Sequence, residues 1–395
     1  MASRGPSGRG LVTNRTFCSR SRVVGDQTAR PVRRASPESR GHPQPTGVEV
    51  SPGPDSSRIL RMSDEEKLTA ITRAVAEAIR ACGAVLGEVR QVGYRRVSFG
   101  LYRPLTQGDA RAELLLDLAA WLLVLPRGAA FTHLTGAMLR GWALPRLPEQ
   151  VPVFAAVRKD QPRPRRPGLL CARLVSDARP ELRHGLPVEG AEEILLRAAR
   201  DLGVIDLVIM IDSALRLGDI DIERMEVILA SRRPGVRQLR KAWLLANGKA
   251  ESAGETVLRT FHEAIEVAVE PQVEAFDDAG LFLGRVDLLV SGSRLVHEYD
   301  GEHHRTKAQQ QTDLRRSRGL EPSYTRHGFT LDDLLNHPAT VMHGIDRTLG
   351  REHQNSRLRR WRAMVDNSMY TQSCRQRMLN RWQRATGVLD WRPAA

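Results

Sequence analysis

The chain has 395 residues, 41% of them hydrophobic, enough for about two or three domains with cores of their own. That excludes a small stapled module, and Cys18, Cys82, Cys171 and Cys374 lie too far apart for a metal-ligand pair or a disulfide framework. The formal charge of +14 points toward a polyanion, yet residues 1–60 hold 10 Arg against 4 acidic residues and 351–395 hold 10 Arg against 3, so the stretch between them is nearly neutral. Basic ends bind nucleic acid or anionic lipid without specificity and do not say what a folded body recognises.

Residues 1–61 are rich in Gly, Pro, Ser and Arg without apolar periodicity, a composition expected to stay disordered. Met62 precedes Ser63, Asp64 and Glu65 and the helical spacing Leu68, Ile71, Val75, Ile79, so it reads as a second candidate start. Arg90–Pro104 is short and aromatic around Gly100 and predicts a hairpin, or the wing of a winged-helix module, in a helical region 62–165. Ala112–Leu125, Thr132–Leu139 and Ala191–Leu202 read as helices. The Pro- and Arg-rich stretch Arg158–Pro167 between them reads as a linker or a loop touching phosphates. A helical middle region, 166–249, follows, with the apolar face Ile205, Leu207, Val208, Ile211, Leu215 and with Asp212 as a cap or salt-bridge partner. The most apolar stretch, Leu114–Pro126, is broken by Asp117 and is shorter than the roughly 20 residues a bilayer crossing needs. No membrane association and a cytoplasmic location are the expectation, since no compact apolar core stands before a cleavage site.

From residue 250 to 350 the pattern becomes helix, strand, strand, strand, helix, strand, helix. Ser252 and Glu255 open the first helix with capping-box spacing, beside an apolar stripe of Leu258, Phe261 and Ile265. Val269–Phe276, Leu281–Val290 and Arg294–Asp300 predict adjacent antiparallel strands. Asp287 interrupts an apolar run, and a carboxylate there needs a cation, a metal or water beside it. Period-two alternation puts Glu298 and Asp300 on one face, where Mg²⁺ or Mn²⁺ would offset the repulsion between neighbouring carboxylates. Gly301 then lets the chain turn and deliver Glu302, His303 and His304, either histidine suited to proton transfer, with Lys307 nearby to stabilise phosphorane charge. Arg315 and Arg316 stand where they could hold DNA phosphates, or form an ordinary solvated face. The basic extension 351–395 mixes Trp361, Trp382 and Trp391 with arginines, which suits either stacking on nucleic acid or docking of an amphipathic helix.

Three strings carry a resemblance: Glu-Ser-Ala-Gly-Glu-Thr-Val-Leu-Arg at 251–259, Gly-Arg-Val-Asp-Leu-Leu-Val at 284–290, and Val-His-Glu-Tyr-Asp-Gly-Glu-His-His at 296–304. Together with Asp313-Leu314-Arg315-Arg316 they resemble a family of uncharacterised actinobacterial-type proteins. The C-terminal domain of that family is similar to the very-short-patch-repair endonuclease of the restriction-endonuclease-like PD-(D/E)xK group. The resemblance implies Glu255 on the first helix, Asp287 and Glu298 as core acids, and Asp300 with His303 or His304 as adjoining positions. Asp300 stands where the group signature has lysine, which leaves the base unassigned. Tyr94–Tyr102 and Ala130–Ala137 resemble the N-terminal part of the same proteins and, more loosely, abortive-infection antitoxin winged-helix proteins.

The expectation is therefore a multidomain α+β or α/β protein with a helical N-terminal and middle part and a restriction-endonuclease-like domain at 250–350. Its expected function is Mg²⁺- or Mn²⁺-dependent endonuclease cleavage of DNA in repair or phage defence, with Asp287, Glu298 and Asp300 as metal ligands. The alternative is a non-catalytic DNA-binding regulator, antitoxin-like and with a toxin-type protein partner, that retains a nuclease fold.

Overall fold

The computed structural model describes residues 64–90, 92–175, 180–301 and 323–386, so the head, 1–61, lies outside the described residues. Helix α1 (Asp64–Cys82) leads through β1 (Val85–Leu86) into the hairpin β2 (Tyr94–Ser98) and β3 (Leu101–Pro104), followed by α2 (Ala110–Trp121). The three strands pair in the order β1-β3-β2. Among the described residues one helix, α1, precedes the hairpin. Two of the three hairpin arginines are held by acids. Arg103, fully buried, donates to Asp117 at 2.6 Å and to Glu113, and Arg95 pairs with Asp117, which bolts the hairpin to α2.

The next part corrects the helical reading. Strands β4 (Ala130–Phe131), β5 (Val153–Val157), β6 (Leu169–Arg173), β7 (Glu181–Arg183) and β8 (Leu186–Val188) form a sheet in the order β6-β5-β4-β8-β7, with α3 (His133–Leu139) between β4 and β5. These strands are short, and Phe154, Ala155, Ala156 and Val157 are all buried. Without an exposed face there is no period-two alternation to read. The sheet spans residue 165, because β5 and β6 pair in parallel across the stretch 158–167.

Helices α4 (Ala191–Ala198), α5 (Val204–Arg216), α6 (Ile222–Ala230) and α7 (Val236–Trp243) follow. Residues Ile205–Ala214 of α5 are all buried because the helix is shared by two cores. Leu207, Val208, Met210 and Ile211 pack with the central sheet, whereas Ile205 and Ile209 pack with Phe261 and Trp361. Asp212 is the salt-bridge partner the sequence suggested: its carboxylate meets Arg259 at 2.7 Å and accepts from Thr256 Oγ1 at 2.9 Å and Asn247 N at 2.8 Å.

Helix α8 (Ala253–Ala264) covers a four-stranded sheet of β9 (Val269–Phe276), β10 (Phe282–Val290), β11 (Leu295–Tyr299) and β12 (Thr325–Phe329), ordered β12-β11-β10-β9. The first three strands are antiparallel neighbours and β12 runs parallel to β11. Val257, Leu258 and Phe261 of α8 meet Leu288 and Val290 of β10. Gly254 lies so close to the Tyr299 ring that a Cβ there would overlap it, which fixes the start of α8 against β11.

The expected single last helix is two, α9 (Leu331–Asn336) and α10 (Pro338–Thr348), because Pro338 lacks an N–H and turns His337 out of helical geometry. Helices α11 (Leu358–Asp366) and α12 (Gln372–Thr386) dock back on the body. Trp361 donates to the Leu334 carbonyl at 2.8 Å and Trp382 to Asp201 at 3.0 Å; both indoles are buried, so they anchor helices and do not stack on a ligand. Trp391 lies outside the described residues. Among the described residues no helix is long and apolar enough to cross a membrane.

Candidate functional site

The acids singled out by the sequence converge on the C-terminal sheet, and each has a local reason to be there. Ser252 caps α8, its hydroxyl accepting from Glu255 N at 3.2 Å. The reciprocal half of the box is replaced: the Glu255 carboxylate accepts from Glu251 N and from the Gln272 amide, both at 2.8 Å. Gln272 holds φ +56° inside β9, an unfavourable conformation for a non-glycine residue. Glu255 thus ties the helix start to β9.

Asp287 is half-buried on β10, and its Oδ2 accepts from Tyr299 N at 2.9 Å. The sequence argument asked for a cation, a metal or water; the adjoining backbone N–H is a partner it did not name. Leu288 lies opposite His297, so continuing the antiparallel register sets Asp287 across from Glu298. On the other side of β11, Glu298 pairs with Gly328 and Val296 with Arg326. Alternation therefore brings Asp287, Glu298, Asp300 and Arg326 to one face. Arg326 Nε bonds Glu298 Oε2, and its Nη2 lies 3.7 Å from Asp300 Oδ1. Gly328 completes the arrangement, because a Cβ there would overlap the Asp300 carboxylate.

Arg326 is the residue that sequence reasoning missed. Counting by two along β12 from Gly328 reaches Arg326 only once the parallel pairing with β11 is known, so no local signal announced it. His303, His304, Lys307, Asp313, Arg315 and Arg316 lie outside the described residues. The oxygen donors of Asp287, Glu298 and Asp300 are of the type a hard cation takes. Arg326, however, supplies positive charge between two of them, and among the described residues no group of three or more His, Cys, Asp or Glu could hold one ion. The described side chains form an acid–guanidinium cluster.

The opposite face of the sheet carries a buried histidine pair. His262 Nδ1 lies 2.8 Å from the Leu258 carbonyl, so that nitrogen carries the proton and Nε2 accepts from His297 Nδ1 at 2.7 Å. Burial holds both imidazoles well below the ordinary histidine range, and the neighbouring His327 presses His297 the same way. Their contribution to stability is present above about pH 6.5 and is lost as the pH falls, because only the unfolded chain takes up the protons. We expect the NMR signals of both rings to stay unmoved between pH 8 and 5; titration near pH 6 would contradict the buried neutral pair.

In the central sheet, His133 has φ +50°, Nδ1 accepts from Leu134 N at 2.8 Å, and Nε2 lies 3.2 Å from Asp201. The ring is buried at the start of α3, stacked on Phe154. Thr132, at the cap position, donates to Glu189.

The fold and site define a mixed α/β, multidomain architecture whose C-terminal sheet bears an acidic face crossed by an arginine. No family model matches the sequence and no curated protein matches it. Among solved structures, the crystal structure of RV2827C protein from Mycobacterium tuberculosis is similar at 17% identity, covering 48% of this chain and 80% of that one, with a TM-score of 0.30.

Proposed function

We propose that this chain is a non-catalytic, DNA-binding regulator, antitoxin-like in role, that keeps a nuclease-like fold. The observation that carries this reading is the ion pair of Arg326 with Glu298 and its approach to Asp300. A guanidinium is a permanent charge that can balance the acids without a divalent ion. The order of one helix, three antiparallel strands and a parallel fourth strand agrees with what the endonuclease resemblance implies for the fold. A toxin-type protein partner belongs to the same reading. The endonuclease reading is favoured by one observation, the shared face of Asp287, Glu298 and Asp300.

The two are separated by incubating the full chain, Asp287→Ala and Glu298→Ala with supercoiled, nicked and mismatched DNA in Mg²⁺ or Mn²⁺. The expected result is bound, intact DNA in every case. Cleavage by the parent chain that drops on the order of 100-fold or more in either variant would establish the nuclease instead.

A further inference from the structure

Two basic stretches that are far apart in sequence line one cleft of about 860 Å³ in the central part of the molecule. Its lining includes the Pro-rich connection between β5 and β6, with Arg163 and Arg165, the end of α12, with Arg384, and Arg200. The lining holds seven arginines and one acid, Asp201, which is already bonded to Arg381 and Trp382. Arg163, Arg165, Arg200 and Arg384 are exposed, and none has a carboxylate partner among the described residues. A second trough shares Arg200 and Arg381 with the first and continues the strip through Arg232, Arg237 and Lys241.

The β5–β6 connection is preorganised. Pro162, Pro164 and Pro167 fix the backbone of the connection, Gln161 donates to the Arg127 carbonyl at 2.7 Å, and Arg166 donates to the Phe99 carbonyl at 2.6 Å. Holding unpaired like charges together costs Coulomb energy, and a polyanion seated between them offsets it. The aromatic groups at the cleft are closed to stacking: His133 lies flat on Phe154 at 4.0 Å, Trp382 meets Phe154 edge-on at 5.5 Å, and all three are buried. The chemistry offered is thus charge for phosphates, with no platform for bases. A concave site also suits a strand or duplex better than a flat lipid surface.

We propose that this strip is the nucleic-acid interface of the protein and that it binds the phosphate backbone without reading sequence. It rests on the DNA-binding reading above but not on the state of the acidic face. The test is fluorescence anisotropy with labelled single-stranded and duplex DNA of two unrelated sequences, in EDTA, over 50–300 mM NaCl. The full chain is compared with R163Q/R165Q/R200Q/R384Q and with a charge-matched control, R73Q/R90Q/R216Q/R347Q, whose positions line neither trough. Circular dichroism melts check that each variant is folded, and the single reversal Arg384→Glu serves if the quadruple variant is not.

The expected result is a loss of affinity on the order of 100-fold for the cleft variant at 150 mM salt. Its log–log salt slope should fall by about 3, since each phosphate contact contributes roughly 0.7–0.9, and the control should keep the slope of the full chain more closely. Equal losses in cleft variant and control, or no loss in either, would overturn the assignment while leaving DNA binding in place. Failure of the full chain to bind any DNA would defeat the DNA-binding reading itself, and preferential binding to anionic vesicles would assign the strip to membranes.

Discussion

Replacing Asp212 with alanine is expected to lower the unfolding free energy by about 3–5 kcal/mol, the range for breaking a buried ion pair from one side. The carboxylate is 1% exposed and holds Arg259, Thr256 and the backbone N–H groups of Asn247 and Gly248 at once. It therefore joins α5 of the central part to α8 of the C-terminal sheet and closes the turn between them. Arg259 would keep the partly exposed Glu263 at 2.5 Å and the Leu245 carbonyl at 2.6 Å, but its buried charge would lose its buried counter-ion. Arg259→Ala should cost a comparable amount, and the double variant less than the sum, because the stranded charge is removed with its partner. Urea unfolding checks all three; a loss under about 1 kcal/mol for Asp212→Ala would show that the pair does not join the two cores.

Raising the pH from about 4 to 7.5 is expected to cost the fold on the order of 4 kcal/mol at Asp206 alone. Burial pushes this carboxyl up to about 7, against the opposing pull of hydrogen bonds from Met369 N and Gly203 N. Those bonds seat the α11–α12 connection on the start of α5. A raised acid stabilises the fold while protonated. That contribution is complete below the unfolded value near 3.8 and is lost as the pH climbs through about 7. The histidine pair acts in the opposite direction, so the two must be separated by variants. Asp206→Asn should remove the decline toward neutral pH and leave the acid-side decline untouched. A decline between pH 5 and 7.5 of the same size in Asp206→Asn as in the parent chain would assign it to another group.

Much of the candidate site was legible because its signals are local. Ser252 before α8 and the alternation of Glu298 with Asp300 depend on neighbours within a few residues. The role of Glu255 was only half legible: its N–H meets the predicted cap, but its carboxylate reaches Gln272, whose unusual backbone no propensity announces. Asp287 stood out as a polar residue in an apolar strand, yet its hydrogen-bond partner depended on which strand lay alongside. Arg326 was invisible as a partner for the same reason, since parallel pairing joins residues 28 apart in sequence.

The amino-acid sequence by itself determined the capped start of α8, the strands of the C-terminal sheet and the shared face of its acids. Caps, period-two alternation and turn residues act over one turn or one hairpin and carry their physics with them. Tertiary structure decided the rest: the short strands of the central sheet, the insertion of α5 between two cores, and the placement of Arg326 among the acids. It also decided that Trp361 and Trp382 anchor helices while Arg381 and Arg384 line a cleft with the β5–β6 connection. These features arise from burial and electrostatics between segments distant along the chain, where spacing holds no record of proximity.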